Sequence, residues 1–177
     1  MNQNCEFNTE RLFVKDWLYK NDEAADRMDF AKKVIRILTP KVTKSLPNEW
    51  KKINTVAKAN KWIFDRASES SFLSVYLESN HTLAGFIFLY ESESKNQTID
   101  LRFGYLLAES AWNKGFGTEL INGLVNWCEK NGHVNSLSGG VERNNIASIK
   151  VMEKTGFSIS KESKTKDDVI FFERLFH

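Results

Sequence analysis

LRFGYLLAESAWNKGFGTEL, residues 101–120, contains the change from strand to helix on which the fold prediction depends. Its apolar and aromatic start is typical of a strand, whereas residues 118–130 place their apolar side chains on one helical face. Gly115 and Gly117 lie between the two elements. Because the first N–H groups of a helix lack intrahelical partners, a glycine-rich loop there is suited to binding a phosphate. A turn that simply requires positive φ angles is the alternative interpretation.

This loop differs from the two most common phosphate-binding motifs. The dinucleotide-binding fingerprint needs a third glycine and a βαβ unit, and the chain has neither at this point. A P-loop ends in Gly-Lys-Ser/Thr, which is also missing. The local pattern therefore indicates a phosphate-bearing ligand without identifying it.

The remaining pattern predicts one domain over residues 1–177 with an α/β or α+β fold, in which helices pack against a sheet. The element order is β-α-α-β-β-β-α-β-α-β-β. Strands are predicted over residues 11–14, 71–78, 82–91, 99–107, 134–141, 157–161 and 169–176, and helices over residues 22–38, 49–67, 118–130 and 145–154.

Composition excludes several functional classes. The net charge is +2, from 25 basic and 23 acidic residues, which disfavours a dedicated nucleic-acid-binding protein. Aromatic residues interleaved with lysines near the N-terminus resemble a base-stacking surface, but their helical spacing favours core packing. The two cysteines have no metal-ligand spacing, so we expect no metal, and Cys128 is predicted to be a core residue. With no signal peptide and no membrane-spanning run, we expect a cytoplasmic protein.

A second segment, VERNNIASIKVMEKTGF over residues 141–157, carries polar residues at the start of a helix. Asn145 is explained locally as an N-cap, and Ser148 as a polar residue of the first turn. Taken together, however, the two segments resemble the GNAT family of N-acetyltransferases, and more closely its ribosomal-protein alanine N-acetyltransferases. The segments TERLFVK and LTPKVTKSLP are similar to the first strand and the substrate-side segment of that branch.

The resemblance implies a mixed, mostly antiparallel sheet with about four helices and a splayed strand at the cofactor site. It implies acetyl transfer from acetyl-CoA to a primary amine by direct attack in a ternary complex. Backbone groups of Leu106 and Leu107 would contact the pantetheine arm, to which Asn145 would also hydrogen-bond, and Ser148 would lie near the sulfur. The diphosphate would lie in the loop formed by Asn113, Lys114, Gly115, Phe116, Gly117 and Thr118.

Acetyl transfer needs three chemical contributions. The acceptor amine must lose a proton, and the candidate bases are Glu109, Asp167, Asp168 and water. The backbone N–H of Leu107 is the predicted donor to the developing oxyanion. Ser148 is the candidate proton or hydrogen-bond donor to the departing thiolate.

The chain departs from the family pattern at three positions, and several alternatives stay open. Trp112 replaces the usual Arg or Gln of the loop, Glu109 replaces a proline, and Arg102 replaces an acidic residue that precedes the Gly-Tyr pair. The expected acceptor is a protein N-terminal α-amine, with a small amine of polyamine or aminoglycoside-like type as the alternative. A non-catalytic CoA-binding module is a further alternative, and a homodimer is possible. We expect neither nucleic acid nor membrane as a partner.

Overall fold

One mixed sheet organises the protein in the computed structural model, which describes residues 5–18, 23–93, 98–161, 163 and 168–176. The strands are β1 (Phe7–Asn8), β2 (Leu12–Asp16), β3 (Ser71–Leu77), β4 (Leu83–Glu93), β5 (Ile99–Leu107), β6 (Val134–Glu142), β7 (Ser158–Ile159) and β8 (Val169–Leu175). Their order in the sheet is β1-β2-β3-β4-β5-β6-β8-β7. Within the described residues β5 and β6 pair in parallel, and every other neighbouring pair is antiparallel.

Four α-helices in the described part of the chain cover the sheet, which confirms the predicted fold class. They are α1 (Ala24–Ile37), α2 (Val56–Glu69), α3 (Phe116–Asn131) and α4 (Ile146–Lys154). Buried residues of α1 and α2 belong to one apolar cluster, and those of α3 and α4 belong to another. Among these described helices, none is both long enough and apolar enough to cross a membrane.

The alternation of side chains along β4 explains why the sheet carries helices on both faces. Phe86 and Phe88 pack with the α1 and α2 cluster, whereas Ile87 and Leu89 pack with the α3 and α4 cluster. Successive strand residues point to opposite faces, so an apolar run without polar interruptions must be buried on both. Trp62 lies edge-on to Phe88 inside the first cluster, and Phe13 and Trp50 are also buried, which confirms core packing for these three aromatic residues of the N-terminal part.

The structure corrects the predicted second helix. It begins at Val56 rather than at residue 49, and a short 3-10 turn over Asn48–Trp50 precedes it. The Thr55 side chain accepts a hydrogen bond from the backbone N–H of Lys58, so it caps the helix at its true start. Trp50 is buried although it lies outside the helix. Apolar spacing alone could not distinguish a buried helical residue from a buried residue in the segment before the helix.

The ends of several other elements also differ from the prediction. Strand β1 was not predicted, since a two-residue strand carries no measurable alternation. The strand predicted over residues 157–161 is reduced to β7, Ser158–Ile159. The first helix begins at Ala24, and the predicted start at Asp22 lies outside the described residues.

Candidate active site

The ladder between β5 and β6 stops before either strand ends, and the unpaired stretch between the two strands is here called the gap. Their parallel ladder runs from Ile99, paired with Val134, to Arg102, paired with Ser138. Strand β5 continues to Leu107 and β6 continues past Ser138, but no further ladder pair joins them in the described residues. Backbone groups that would normally complete a sheet therefore face this gap.

The register of β5 on β4 decides which backbone groups face the gap. The N–H of Ala108 donates to the carbonyl of Ala84 at 2.8 Å, and paired residues alternate along an antiparallel ladder. Leu106, opposite Phe86, consequently directs its N–H and C=O at β4, while Leu107 directs its own toward β6. Of the two predicted pantetheine contacts, Leu107 is the one whose backbone is turned to the gap.

Gly85 allows β4 to approach the end of β5. A Cβ at this position would collide with the carbonyl oxygen of Leu106 and lie 2.8 Å from the Leu107 side chain. Only glycine can occupy a strand position where another backbone comes this close. The location of Leu107 therefore depends on a glycine of the neighbouring strand.

The loop before α3 is held in a conformation that suits glycine. Gly115 is the N-cap residue of this 16-residue helix and has φ 80°, and Asn113 has φ 58°. Asparagine is among the few other residues that tolerate such angles. The indole N–H of Trp112 donates to the carbonyl oxygen of Leu107 at 2.8 Å and fastens the loop to the end of β5. Trp112 thus has a structural role that its position in the motif did not reveal.

Gly117 marks the point where the loop, β5 and α4 converge. A Cβ built on Gly117 would lie 3.3 Å from Val151 Cγ2 and 3.9 Å from both Leu107 Cδ1 and Tyr105 Oη. Gly117 belongs to the predicted loop, in which Lys114 is exposed and Phe116 and Thr118 are half-buried at the start of α3. The structure therefore brings the first predicted segment next to the second.

Asn145 and Ser148 shape the first turn of α4. The Oδ1 atom of Asn145 accepts a hydrogen bond from the backbone N–H of Ser148 at 3.1 Å, as expected of an N-cap. This bond uses the side-chain oxygen of Asn145 and leaves the Ser148 hydroxyl for other partners. The hydroxyl of Tyr105 donates to Ser148 Oγ at 3.3 Å.

Tyr105 is a site residue to which sequence analysis gave no chemical role. Burial raises the pKa of its hydroxyl, and the hydrogen bond with Ser148 opposes that effect only in part. Tyr105 is therefore protonated at neutral pH and acts as a hydrogen-bond donor. Its signal in the sequence was the Gly-Tyr pair in β5, but the Ser148 partner is 43 residues away.

Glu109 lies just beyond β5 and is tied to the connection between α1 and α2. Its carboxylate accepts a hydrogen bond from the Thr39 hydroxyl and forms a 3.2 Å ion pair with Lys41. These two partners, with the Thr39 bond first, lower the pKa of Glu109 below its usual value. A carboxylate with a lowered pKa holds a proton less readily, so Glu109 is a weaker base than an unpaired glutamate.

Glu119 in the first turn of α3 is the centre of another charged group. Its carboxylate accepts hydrogen bonds from the Thr9 hydroxyl at 2.6 Å and from the backbone N–H of Arg11 at 2.7 Å. The Arg11 guanidinium lies 2.6 Å from the second oxygen. Burial by itself would raise the pKa of Glu119, but the Thr9 and Arg11 bonds outweigh it and lower the pKa.

The other candidate residues lie in different surroundings. The carbonyl of Asp168 accepts the N–H of Arg143 at 2.9 Å, close to the start of α4, whereas Asp167 lies outside the described residues. Cys128 is fully buried, as predicted, and burial raises the pKa of its thiol to about 12, so it is not an ionised nucleophile. In the described ranges, no group of three His, Cys, Asp or Glu side chains is arranged to hold a metal ion.

Comparisons with known proteins agree with this geometry. The family model described as an acetyltransferase (GNAT) domain matches residues 18–158. A search of the curated proteins finds no significant match. The fold is similar to that of a GNAT-family acetyltransferase from Bacillus anthracis, at a TM-score of 0.75 and 17% identity over 96% of this chain and 98% of that one.

Two further solved structures share the fold. RimL, a ribosomal L7/L12 alpha-N-protein acetyltransferase in complex with coenzyme A, has a TM-score of 0.71 and 13% identity over 97% of this chain and 98% of its own. The microcin C7 self-immunity acetyltransferase MccE, in complex with acetyl-CoA and AMP, has a TM-score of 0.70 and 12% identity over 94% and 93% of the two chains. Since the family model covers well over half of the sequence, this chain belongs to the GNAT family of N-acetyltransferases.

Proposed function

We propose that the protein transfers the acetyl group of acetyl-CoA to a protein N-terminal α-amine by direct attack in a ternary complex. The observation that carries this proposal is the convergence at Gly117. There the first turn of α3, which has no side-chain N-cap bond, lies beside the side chains of Leu107 and Tyr105 and beside Val151 of α4, and Tyr105 donates to Ser148 Oγ. The solved structures of RimL with coenzyme A and of MccE with acetyl-CoA support this choice of co-substrate.

The loop over residues 113–118 would bind the diphosphate. Three features favour an anion there: the unpartnered N–H groups of the first turn, the positive end of the α3 dipole and the Lys114 ammonium. The pantetheine arm would then extend along the gap beside β5. The Leu107 N–H would donate to it or to the thioester oxygen, and Asn145 would contact it from the start of α4.

The acetyl transfer would require no covalent acyl-enzyme. The neutral amine attacks the thioester carbon, and the Leu107 N–H stabilises the charge that develops on the carbonyl oxygen. The C–S bond then breaks, the amine nitrogen loses its second proton, and the thiolate gains one. Ser148 would donate a hydrogen bond or a proton to sulfur. If a proton is transferred, Tyr105, which donates to Ser148 Oγ, would return one to Ser148, and the proton released by the amine nitrogen would restore the Tyr105 hydroxyl.

The proton of the acceptor amine would be removed by water, with Glu109 as a positioning group. The bonds from Thr39 and Lys41 already occupy the Glu109 carboxylate, and both lower its pKa. A protein α-amine has a pKa of about 8, so a useful fraction is neutral near pH 7 without a strong base. Glu109 would instead hold the segment after α1 against the end of β5.

Two proteins with similar folds support the two candidate acceptors. RimL is described as an alpha-N-protein acetyltransferase, which favours an N-terminal α-amine. MccE is described as a self-immunity acetyltransferase and was solved with AMP, which makes a small-molecule amine the second candidate.

An acetylation assay distinguishes these acceptors. Purified protein is incubated with acetyl-CoA and either a peptide library or a panel of polyamines and aminoglycosides, while free thiol and product mass are measured. We expect peptides with free N-termini to be acetylated at the α-nitrogen and formylated controls to stay unmodified. Turnover confined to small amines would move the assignment to the second candidate. Thiol release with no acceptor, or CoA binding without any turnover, would contradict the transferase mechanism.

The pH dependence tests the role of Glu109. We expect Glu109→Gln to retain the rise of kcat/KM between about pH 6 and pH 9, because that limb reports loss of the proton from the acceptor α-amine. Since the pKa of Glu109 is lowered, its carboxylate is already ionised over this range and cannot produce the limb. The profile is measured for both proteins with one peptide. A loss of kcat of about a hundredfold or more at every pH in the variant would instead make Glu109 the base.

A further inference from the structure

Arg11 connects the first strands to the loop that precedes α3. Its Nη1 atom donates to the carbonyl oxygen of Lys114 at 3.1 Å, and its Nε atom donates to Glu119 Oε2 at 2.7 Å. The guanidinium also lies over the Phe116 ring, 4.4 Å from its centroid. A single side chain just before β2 therefore contacts residues on both sides of Gly115.

The segment between β1 and β2 also holds the Glu119 side chain in place. Its Oε1 atom accepts the Thr9 hydroxyl and the backbone N–H of Arg11, while Oε2 accepts the Arg11 guanidinium. Charge-assisted bonds of this kind are stronger than neutral ones, and the planar guanidinium adds directional specificity. The Glu119 side chain is 16% exposed and the Arg11 side chain is 45% exposed, so solvent screens the pair only in part.

The location of this pair matters for an anionic ligand. Glu119 lies in the first turn of α3, next to the N–H groups that would bind the diphosphate. An unpaired carboxylate at this point would compete for the positive end of the helix dipole and repel phosphate. Arg11 cancels that charge and at the same time fixes the carbonyl of Lys114.

We propose that Arg11 is a positioning residue for acetyl-CoA, which fixes the 113–118 loop through Lys114 and neutralises Glu119 beside the diphosphate. The inference rests on the proposed function, because it assumes that the diphosphate binds in this loop. A loop that is already ordered loses less entropy on binding, so the effect should appear in affinity for the diphosphate-bearing part of the ligand.

The test compares ligands with and without a diphosphate. Inhibition constants of CoA and of pantetheine, which lacks the diphosphate and the nucleotide, are measured against acetyl-CoA in the unmodified protein and in Arg11→Ala. In Arg11→Ala we expect the inhibition constant of CoA and the KM for acetyl-CoA to rise about tenfold, which is the effect expected from losing one charge-assisted hydrogen bond. The pantetheine constant, the KM for the amine and kcat should change less than about twofold.

Arg174 offers a matched control at the opposite end of α3. It also bridges a carboxylate of that helix, Glu129 at 2.9 Å, and a backbone carbonyl, that of Thr155 at 2.8 Å. Arg174→Ala removes the same kinds of contact at a place away from the loop. The ratio of its inhibition constants for CoA and pantetheine should therefore equal the ratio in the unmodified protein. Thermal unfolding of both variants reports any general loss of stability.

Each outcome has a distinct meaning. If the unmodified protein neither binds CoA nor acetylates an amine, the proposed function fails whatever Arg11 does. If that protein is active but Arg11→Ala changes the CoA and pantetheine constants equally, or changes neither, the positioning role is wrong. Should Arg11→Ala not fold, Arg11→Gln keeps part of the side-chain length while removing the guanidinium, and it must show the same selective rise in the inhibition constant of CoA.

Discussion

Replacement of Gly115 by alanine should raise the KM for acetyl-CoA by about a hundredfold, equivalent to losing one or two charge-assisted hydrogen bonds. Gly115 has φ 80°, an angle that costs a residue with a Cβ about 1 kcal/mol or more. Alanine would relax toward negative φ and rotate the next peptide groups, whose N–H groups are proposed to bind the diphosphate. Steady-state kinetics with varied acetyl-CoA at saturating amine measure the effect.

Gly132 provides the control for backbone strain. It has φ 67° at the end of α3, and a Cβ there would meet nothing within 4 Å. Gly132→Ala should therefore lower the melting temperature about as much as Gly115→Ala does, while leaving the KM for acetyl-CoA unchanged. An unaltered KM in Gly115→Ala, or equal changes in the two variants, would show that the diphosphate does not depend on this loop.

Removal of the Ser148 hydroxyl should lower kcat about a hundredfold, within the range typical of a lost general acid. Ser148→Ala keeps the backbone N–H that Asn145 caps, so α4 should remain intact. Because Tyr105 donates to Ser148 Oγ, Tyr105→Phe should lower kcat by a smaller factor, about tenfold. Single-turnover and steady-state rates at saturating acetyl-CoA are the measurements.

The double variant tests whether the hydroxyls of Tyr105 and Ser148 belong to one proton path. If Tyr105 acts through Ser148, Ser148→Ala with Tyr105→Phe should be no slower than Ser148→Ala alone. Tyr90→Phe is the matched control, because Tyr90 also has a hydroxyl with a raised pKa and a serine partner, Ser70, but packs against the opposite face of the sheet. Additive losses, or an equal loss in Tyr90→Phe, would contradict the proposed proton path.

The strands and helices could be predicted where local rules decide them. The glycines before α3 and the Asn145 cap act through φ angles and through a bond between residues three positions apart, both of which are visible in a short stretch of sequence. The predicted second helix failed at its start because buried Trp50 has helical spacing without belonging to the helix. Apolar spacing reports burial, and burial does not require a helix.

The contacts that complete the candidate site could not be predicted from the sequence. Arg11 and Glu119 are 108 residues apart, and nothing in the spacing of either indicates the other. Thr39 and Glu109, which are 70 residues apart, meet only because the segment after α1 packs near the end of β5. These pairings lower the pKa of each carboxylate, so the chemical character of Glu109 and Glu119 follows from packing.

The amino-acid sequence alone was sufficient for the fold class, the glycine loop and the polar start of α4, since steric limits and side-chain periodicity act over a few neighbouring residues. Tertiary structure alone decided that Leu107, rather than Leu106, turns its backbone to the gap, and that Tyr105 donates to Ser148. Both depend on strand order and register, which arise when distant segments bury their apolar faces together.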